Sequence, residues 1–99
     1  MDKFILEKDK LFEICKNEDI QYLGVFGSFA RGESNKKSDI DLLVRFSKRK
    51  SLLNLVRIER EITTLLGKPV DLVTEAALSP YIRDRVKQEL QVLYEEKAR

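Results

Sequence analysis

The chain has no histidine, a single cysteine and no apolar run approaching the ~20 residues that cross a bilayer. Without histidine, imidazole acid–base catalysis and His-ligated zinc are excluded. Cys15 alone cannot make an internal disulfide, which fits a reducing compartment. Its place between Ile14 and Lys16 on an expected helix reads as a small buried hydrophobe. No secretory leader is visible, so the expectation is a soluble, cytoplasmic protein with no membrane partner. A strong charge of either sign is also missing. Nineteen Lys and Arg against seventeen Asp and Glu leave +2, mild and interspersed, without the basic footprint of a nucleic-acid binder. No repeat, low-complexity tract or linker divides the 99 residues, which read as one domain over 1–99 with a single core.

The order of elements follows from periodicity. Residues 3–18 read as a helix with Phe4, Leu11, Phe12 and Cys15 on one face. Strands are expected at 20–26, 39–46 and 69–74. Residues 51–66 read as a second helix, with Ser51 as N-cap, Leu52, Leu55, Val56, Ile62 and Leu66 as its stripe, and Gly67 at its end. Ser79-Pro80 suits the N-cap and first position of a last helix, along which Ile82, Val86, Leu90 and Leu93 recur at helical spacing. The expected fold is α/β (α+β): a small mixed sheet of three or four strands flanked by helices.

Chemistry concentrates at Gly27–Val44. In Asp39-Ile40-Asp41-Leu42-Leu43-Val44-Arg45-Phe46 successive side chains of a strand alternate between faces, so Ile40, Leu42, Val44 and Phe46 point toward a core. Asp39 and Asp41 share the other face, close enough to repel, and a divalent cation removes that repulsion. Hard oxygen ligands suit Mg²⁺, which takes one or two carboxylates and completes its shell with waters and substrate phosphates; two such ions about 3.5–4 Å apart would serve both the attacking and the leaving oxygen. Asp71 lies within the apolar run Pro69-Val70-Asp71-Leu72-Val73, where a buried carboxylate is costly unless paired or metal-bound. It reads either as a third carboxylate of the site or as an exposed strand-end residue paired with a Lys or Arg. Gly27 and Ser28 follow the 20–26 strand, where Gly permits a tight turn with close backbone approach and the Ser28 hydroxyl adds a neutral donor for phosphate. The turn is neither a dinucleotide fingerprint nor a P-loop, since both consensus patterns are absent.

Gly27-Ser28, ten intervening residues, Asp39-Ile40-Asp41 and a later Asp71 resemble the DNA polymerase beta-like nucleotidyltransferase superfamily. The GSFARGE and SDIDLLV segments in so short a chain are similar to its minimal nucleotidyltransferase (MNT) branch, over roughly residues 20–75. The resemblance implies Ser28 as a triphosphate contact, Asp39 and Asp41 as Mg²⁺ ligands, Asp71 as a third catalytic and metal-binding carboxylate, and ATP as substrate. Phe29 stands where relatives often carry a basic residue. Arg31 has two readings, a phosphate contact or an internal ion pair with Glu33 or an Asp of the site. Arg45, Lys48, Arg49 and Lys50 read as a solvated loop, or as a contact for ATP phosphates or for an acidic face of a partner.

Little sequence remains beyond that core to hold an acceptor, so the acceptor is expected to be another chain. The resemblance extends to the MNT partners of HEPN-domain toxins, which transfer AMP from ATP to a tyrosine of the toxin and silence it. Lacking histidine, this chain is not the HEPN half. Two alternatives remain at this point: an antitoxin that neutralises its partner by binding alone, and a nucleotidyltransferase acting on a small molecule or RNA.

Overall fold

Alternation along Ile40–Phe46 produces a strand whose two faces do different work. Ile40, Leu42 and Val44 are buried on one side, while Asp41, Leu43 and Arg45 point to the other. The computed structural model of the chain describes residues 6–33 and 39–96. In chain order these form α1 (Lys8–Asn17), β1 (Ile20–Phe26), the single-turn α2 (Ser28–Arg31), β2 (Ile40–Phe46), α3 (Leu52–Leu66), β3 (Val70–Thr74), a 3-10 turn (Glu75–Ala77), α4 (Pro80–Glu89) and β4 (Gln91–Glu95). The four strands make one mixed sheet in the order β3-β2-β1-β4, with β2 and β3 parallel and the other pairs antiparallel.

The main core lies between one face of this sheet and the helices α1 and α3. Leu11 and Cys15 from α1, Ile58, Ile62 and Leu66 from α3, and Leu23, Val25, Ile40, Leu42, Val44, Val70 and Leu72 from the strands close it. A smaller cluster on the opposite face joins Leu43, Leu78 and Val86, with Phe26, Val73 and Leu90 packed against it. This second face carries the acidic residues, because Asp41 shares it with Leu43.

Helix ends follow local chemistry. The Ser51 hydroxyl accepts from Asn54 N–H at 3.2 Å, and α3 stops at Gly67, whose φ of 73° suits a residue without Cβ. Ser79 caps α4, accepting from Tyr81 N–H at 3.3 Å, with Pro80 in the first turn. On the outer edge of β3, Val70 N–H donates to Thr63 Oγ1 at 3.1 Å and Leu72 N–H to Glu59 Oε2 at 2.9 Å, so α3 satisfies edge donors that the sheet leaves open.

Three expectations change. The stripe of α3 runs through Leu55, Ile58, Ile62 and Leu66, whereas Leu52 is 75% and Val56 38% exposed. Burial begins one turn later than the apolar pattern suggests. The last helix ends at Glu89, and Leu93 lies on β4. The free edge of β1 decides this: β4 pairs with it through Tyr22–Glu95, Leu23–Tyr94, Gly24–Val92 and Val25–Gln91, satisfying backbone groups that a longer helix would leave open. Asp39 stands immediately before β2 rather than on it, and Phe4 lies outside the described residues.

Among the described residues no helix is long and apolar enough to cross a membrane.

Candidate active site

The strand order brings the acidic residues together. In the parallel pair β2–β3, Asp41 stands directly beside Asp71, and in the antiparallel pair β1–β2 it stands beside Phe26, the residue before Gly27. Three segments far apart in sequence therefore meet at one end of the sheet's second face. Asp39 precedes Asp41 by two residues, close enough that its charge acts on Asp41.

Asp41 is the constrained member. Burial, then the charges of Asp71 and Asp39, push its carboxyl above the usual range, with Arg31 opposing them. Crowded anions with one carboxylate partly desolvated are the donor chemistry that a hard divalent cation fits. Among the described residues no three acidic, Cys or His side chains close into a cage of their own.

Asp71 differs from the burial argument made for it. It is exposed on β3, an edge strand, with Val70 and Leu72 buried on either side. Desolvation does not mark it; its register with Asp41 does.

The Gly27 turn rests on Asp41. Gly27 has φ 74° and ψ −152°, a region open essentially only to glycine, and a Cβ there would run into the Asp41 carboxylate. Ser28 follows, half-buried, at the start of α2. Phe29 packs into the main core with Lys68 Nζ 4.9 Å from its ring centre and so anchors the turn.

Arg31 takes part in two ion pairs, Nε to Glu33 Oε1 at 3.1 Å and Nη1 to Glu89 Oε1 at 2.8 Å. The internal pairing read for it is present, and Glu89 joins it. Glu89 Oε2 also accepts from Gly27 N–H at 3.2 Å. Arg31 and Gly27 hold the Glu89 carboxyl below its ordinary value, with the guanidinium the larger cause. A cleft of about 290 Å³ lies between the turn and α4, lined among others by Gly27, Ser28, Arg31, Asp41, Ile82 and Glu89. The larger hollow of about 490 Å³ between α1 and α3 lies on the opposite side of the sheet from the acidic face.

Sequence reading missed Glu89 and the α4 wall. No local signal was available, because the helical spacing of Leu90 and Leu93 put Glu89 in the interior of the expected helix. The basic cluster falls elsewhere. Arg45 is four positions along β2 from Asp41, roughly 13 Å away, and stacks over Tyr22 with its guanidinium carbon 5.1 Å from the ring centre. Lys50 Nζ pairs with Asp19 Oδ2 at 2.9 Å. The cluster braces the far end of the sheet and does not reach the acidic site.

Residues 8–93 match the profile of the nucleotidyltransferase domain. The chain belongs to that family. Protein adenylyltransferase MntA of Thermococcus cleftensis is 38% identical over 78 residues, 79% of this chain and 79% of the relative. A solved minimal nucleotidyltransferase superposes with a TM-score of 0.79 at 34% identity, over 91% of this chain and 92% of its own. A chain from the complex of a tri-AMPylated Shewanella oneidensis HEPN toxin with an MNT antitoxin superposes with a TM-score of 0.70 at 19% identity, over 94% and 73%, a likeness of fold. As a nucleotidyltransferase of the minimal type, the chain pairs Asp41 with Asp71 and with Phe26 on one sheet, with Asp39 just before β2 and the Gly-Ser turn just after β1.

Proposed function

We propose that this nucleotidyltransferase transfers AMP from ATP to a hydroxyl, a tyrosine in the first instance, of a partner HEPN-domain toxin, and so acts as its antitoxin. The observation that carries the reading is the register of Asp41 with Asp71 beneath a Gly27 turn that only glycine can form, with Ser28 and Arg31 at its rim. The kinship with MntA and with the fold of an MNT antitoxin bound to an AMPylated toxin supports the choice of AMP and of a protein acceptor.

Asp39, Asp41 and Asp71 are the groups that would hold Mg²⁺, which when bound supplies positive charge to the triphosphate and to the departing pyrophosphate. Ser28 Oγ–H and Gly27 N–H donate to phosphate oxygens, and Arg31 adds charge at the cleft rim. The acceptor hydroxyl attacks the α-phosphorus in line with the pyrophosphate; one P–O bond forms as the other breaks, and a site carboxylate, Asp71 in this assignment, takes the hydroxyl proton. Because Asp71 is exposed on an edge strand, an acceptor carried by another chain can approach it from the β3 side.

Co-expression of the partner toxin with this chain, followed by intact mass measurement, tests the reading. The toxin gains one or more AMP units with the wild type and none with Asp39→Asn/Asp41→Asn. A stable complex without any mass gain would replace transfer by simple occlusion.

A further inference from the structure

Glu89 occupies the last position of α4, where helix carbonyls make a carboxylate the disfavoured charge. Three donors nevertheless hold it: Gly27 N–H to Oε2 at 3.2 Å, Arg31 Nη1 to Oε1 at 2.8 Å and Arg85 Nε to Oε1 at 3.4 Å. The side chain is 16% exposed and forms one wall of the cleft that also contains Ser28 and Asp41. Two of its donors, Gly27 N–H and Arg31, are those that the nucleotide reading assigns to phosphate. The Gly27 amide has one hydrogen and cannot serve a carboxylate and a phosphate oxygen together. An incoming phosphate would also stand against the Glu89 charge, which already acts on Asp41.

We propose that Glu89 competes with the triphosphate for Gly27 N–H and the Arg31 guanidinium, so that its carboxylate sets the affinity of the turn for nucleotide. The inference rests on the nucleotide reading of the site. Contacts that do not involve Glu89 also hold this region: Gln91 Nε2 donates to Ala30 O at 2.8 Å, tying β4 to α2, and Leu90 packs against the smaller cluster. Glu89 is thus an internal anion that substrate displaces from Arg31 and the turn.

Calorimetric titration of the full chain with AMP-PNP and with inorganic tripolyphosphate, both with Mg²⁺, tests this. Glu89→Gln keeps the shape and removes the charge; it binds both ligands about tenfold more tightly than wild type, and Glu89→Ala changes affinity in the same direction. In an Arg31→Gln background the gain from Glu89→Gln shrinks to the part owed to Gly27 N–H, a coupling that a purely structural role for Glu89 would not produce. Equal or weaker binding by Glu89→Gln, with the wild type binding normally, overturns the competition while leaving the nucleotide reading intact. Failure of wild type and variant alike to bind either ligand overturns both.

Discussion

Asp41 and Asp71 stand side by side on parallel strands, two carboxylates facing each other across one rung of the sheet. Parallel neighbours cannot be joined by a tight turn, so α3 intervenes in the sequence between them. The sheet places like charges together, and Asp41, raised first by its burial and then by Asp71 and Asp39, is the group most affected.

Removing that repulsion should stabilise the protein and end its chemistry. Asp41→Asn is expected to gain about 0.5 kcal/mol without divalent cations, a rise of about 2–4 °C in thermal midpoint. Millimolar Mg²⁺ should raise the midpoint of wild type by mass action and leave Asp39→Asn/Asp41→Asn unmoved. Thermal melts of the three proteins with and without Mg²⁺ check both, and a fall in midpoint for Asp41→Asn would contradict the electrostatic account.

Gly27→Ala tests the turn. The new Cβ meets both an unfavourable backbone region and the Asp41 carboxylate, so a loss of about 1–3 kcal/mol is expected. AMP transfer should fall at least a hundredfold, because the turn and Asp41 must both shift. Denaturant melts and mass-detected transfer measure the two losses separately.

Acid stability should depend on Glu18 and Arg57. Arg57 Nη1 and Nη2 donate to the two Glu18 oxygens at 2.7 and 2.9 Å, which holds Glu18 down from 4.5 to about 2. A carboxyl depressed on folding stabilises the protein above its unfolded value. That contribution fades as pH falls from about 4.5 toward about 2. Because Arg57 is half exposed to solvent screening, Arg57→Met should lower the urea midpoint only slightly at pH 7. The wild-type advantage should vanish near pH 2. Urea melts across that range would show it as converging midpoints.

Cys15 should be chemically silent in the folded protein. Complete burial pushes its thiol up to about 12, so almost no thiolate exists at neutral pH. Ellman's reagent should find no reactive thiol in native buffer and one per chain in guanidinium. Rapid labelling of the native protein would mean that α1 separates readily from the core.

The candidate site positions could be picked out in sequence because their side-chain chemistry is local. A Gly-Ser turn, an Asp-x-Asp on an alternating strand and an acidic residue in a short apolar run keep their meaning without knowledge of the fold. The strands at Ile20–Phe26, Ile40–Phe46 and Val70–Thr74 follow from period-two patterning, and both Ser caps from side-chain oxygens that need an N–H. β4 was hidden because Leu90 and Leu93 also satisfy a helical period, and only the open edge of β1 favours the strand.

What the sequence by itself determined is the set of candidate site groups and most of the elements that carry them, since spacing of two or 3.6 residues settles which side chains share a face. Tertiary structure alone decided their company. Strand order put Asp71 beside Asp41 and left Asp71 on an exposed edge. The packing of α4 brought Glu89 onto Gly27 and Arg31 from about sixty residues away in the chain. Contacts at such separations depend on how the faces of elements pack and on which backbone edges remain to be paired, and no local pattern encodes either.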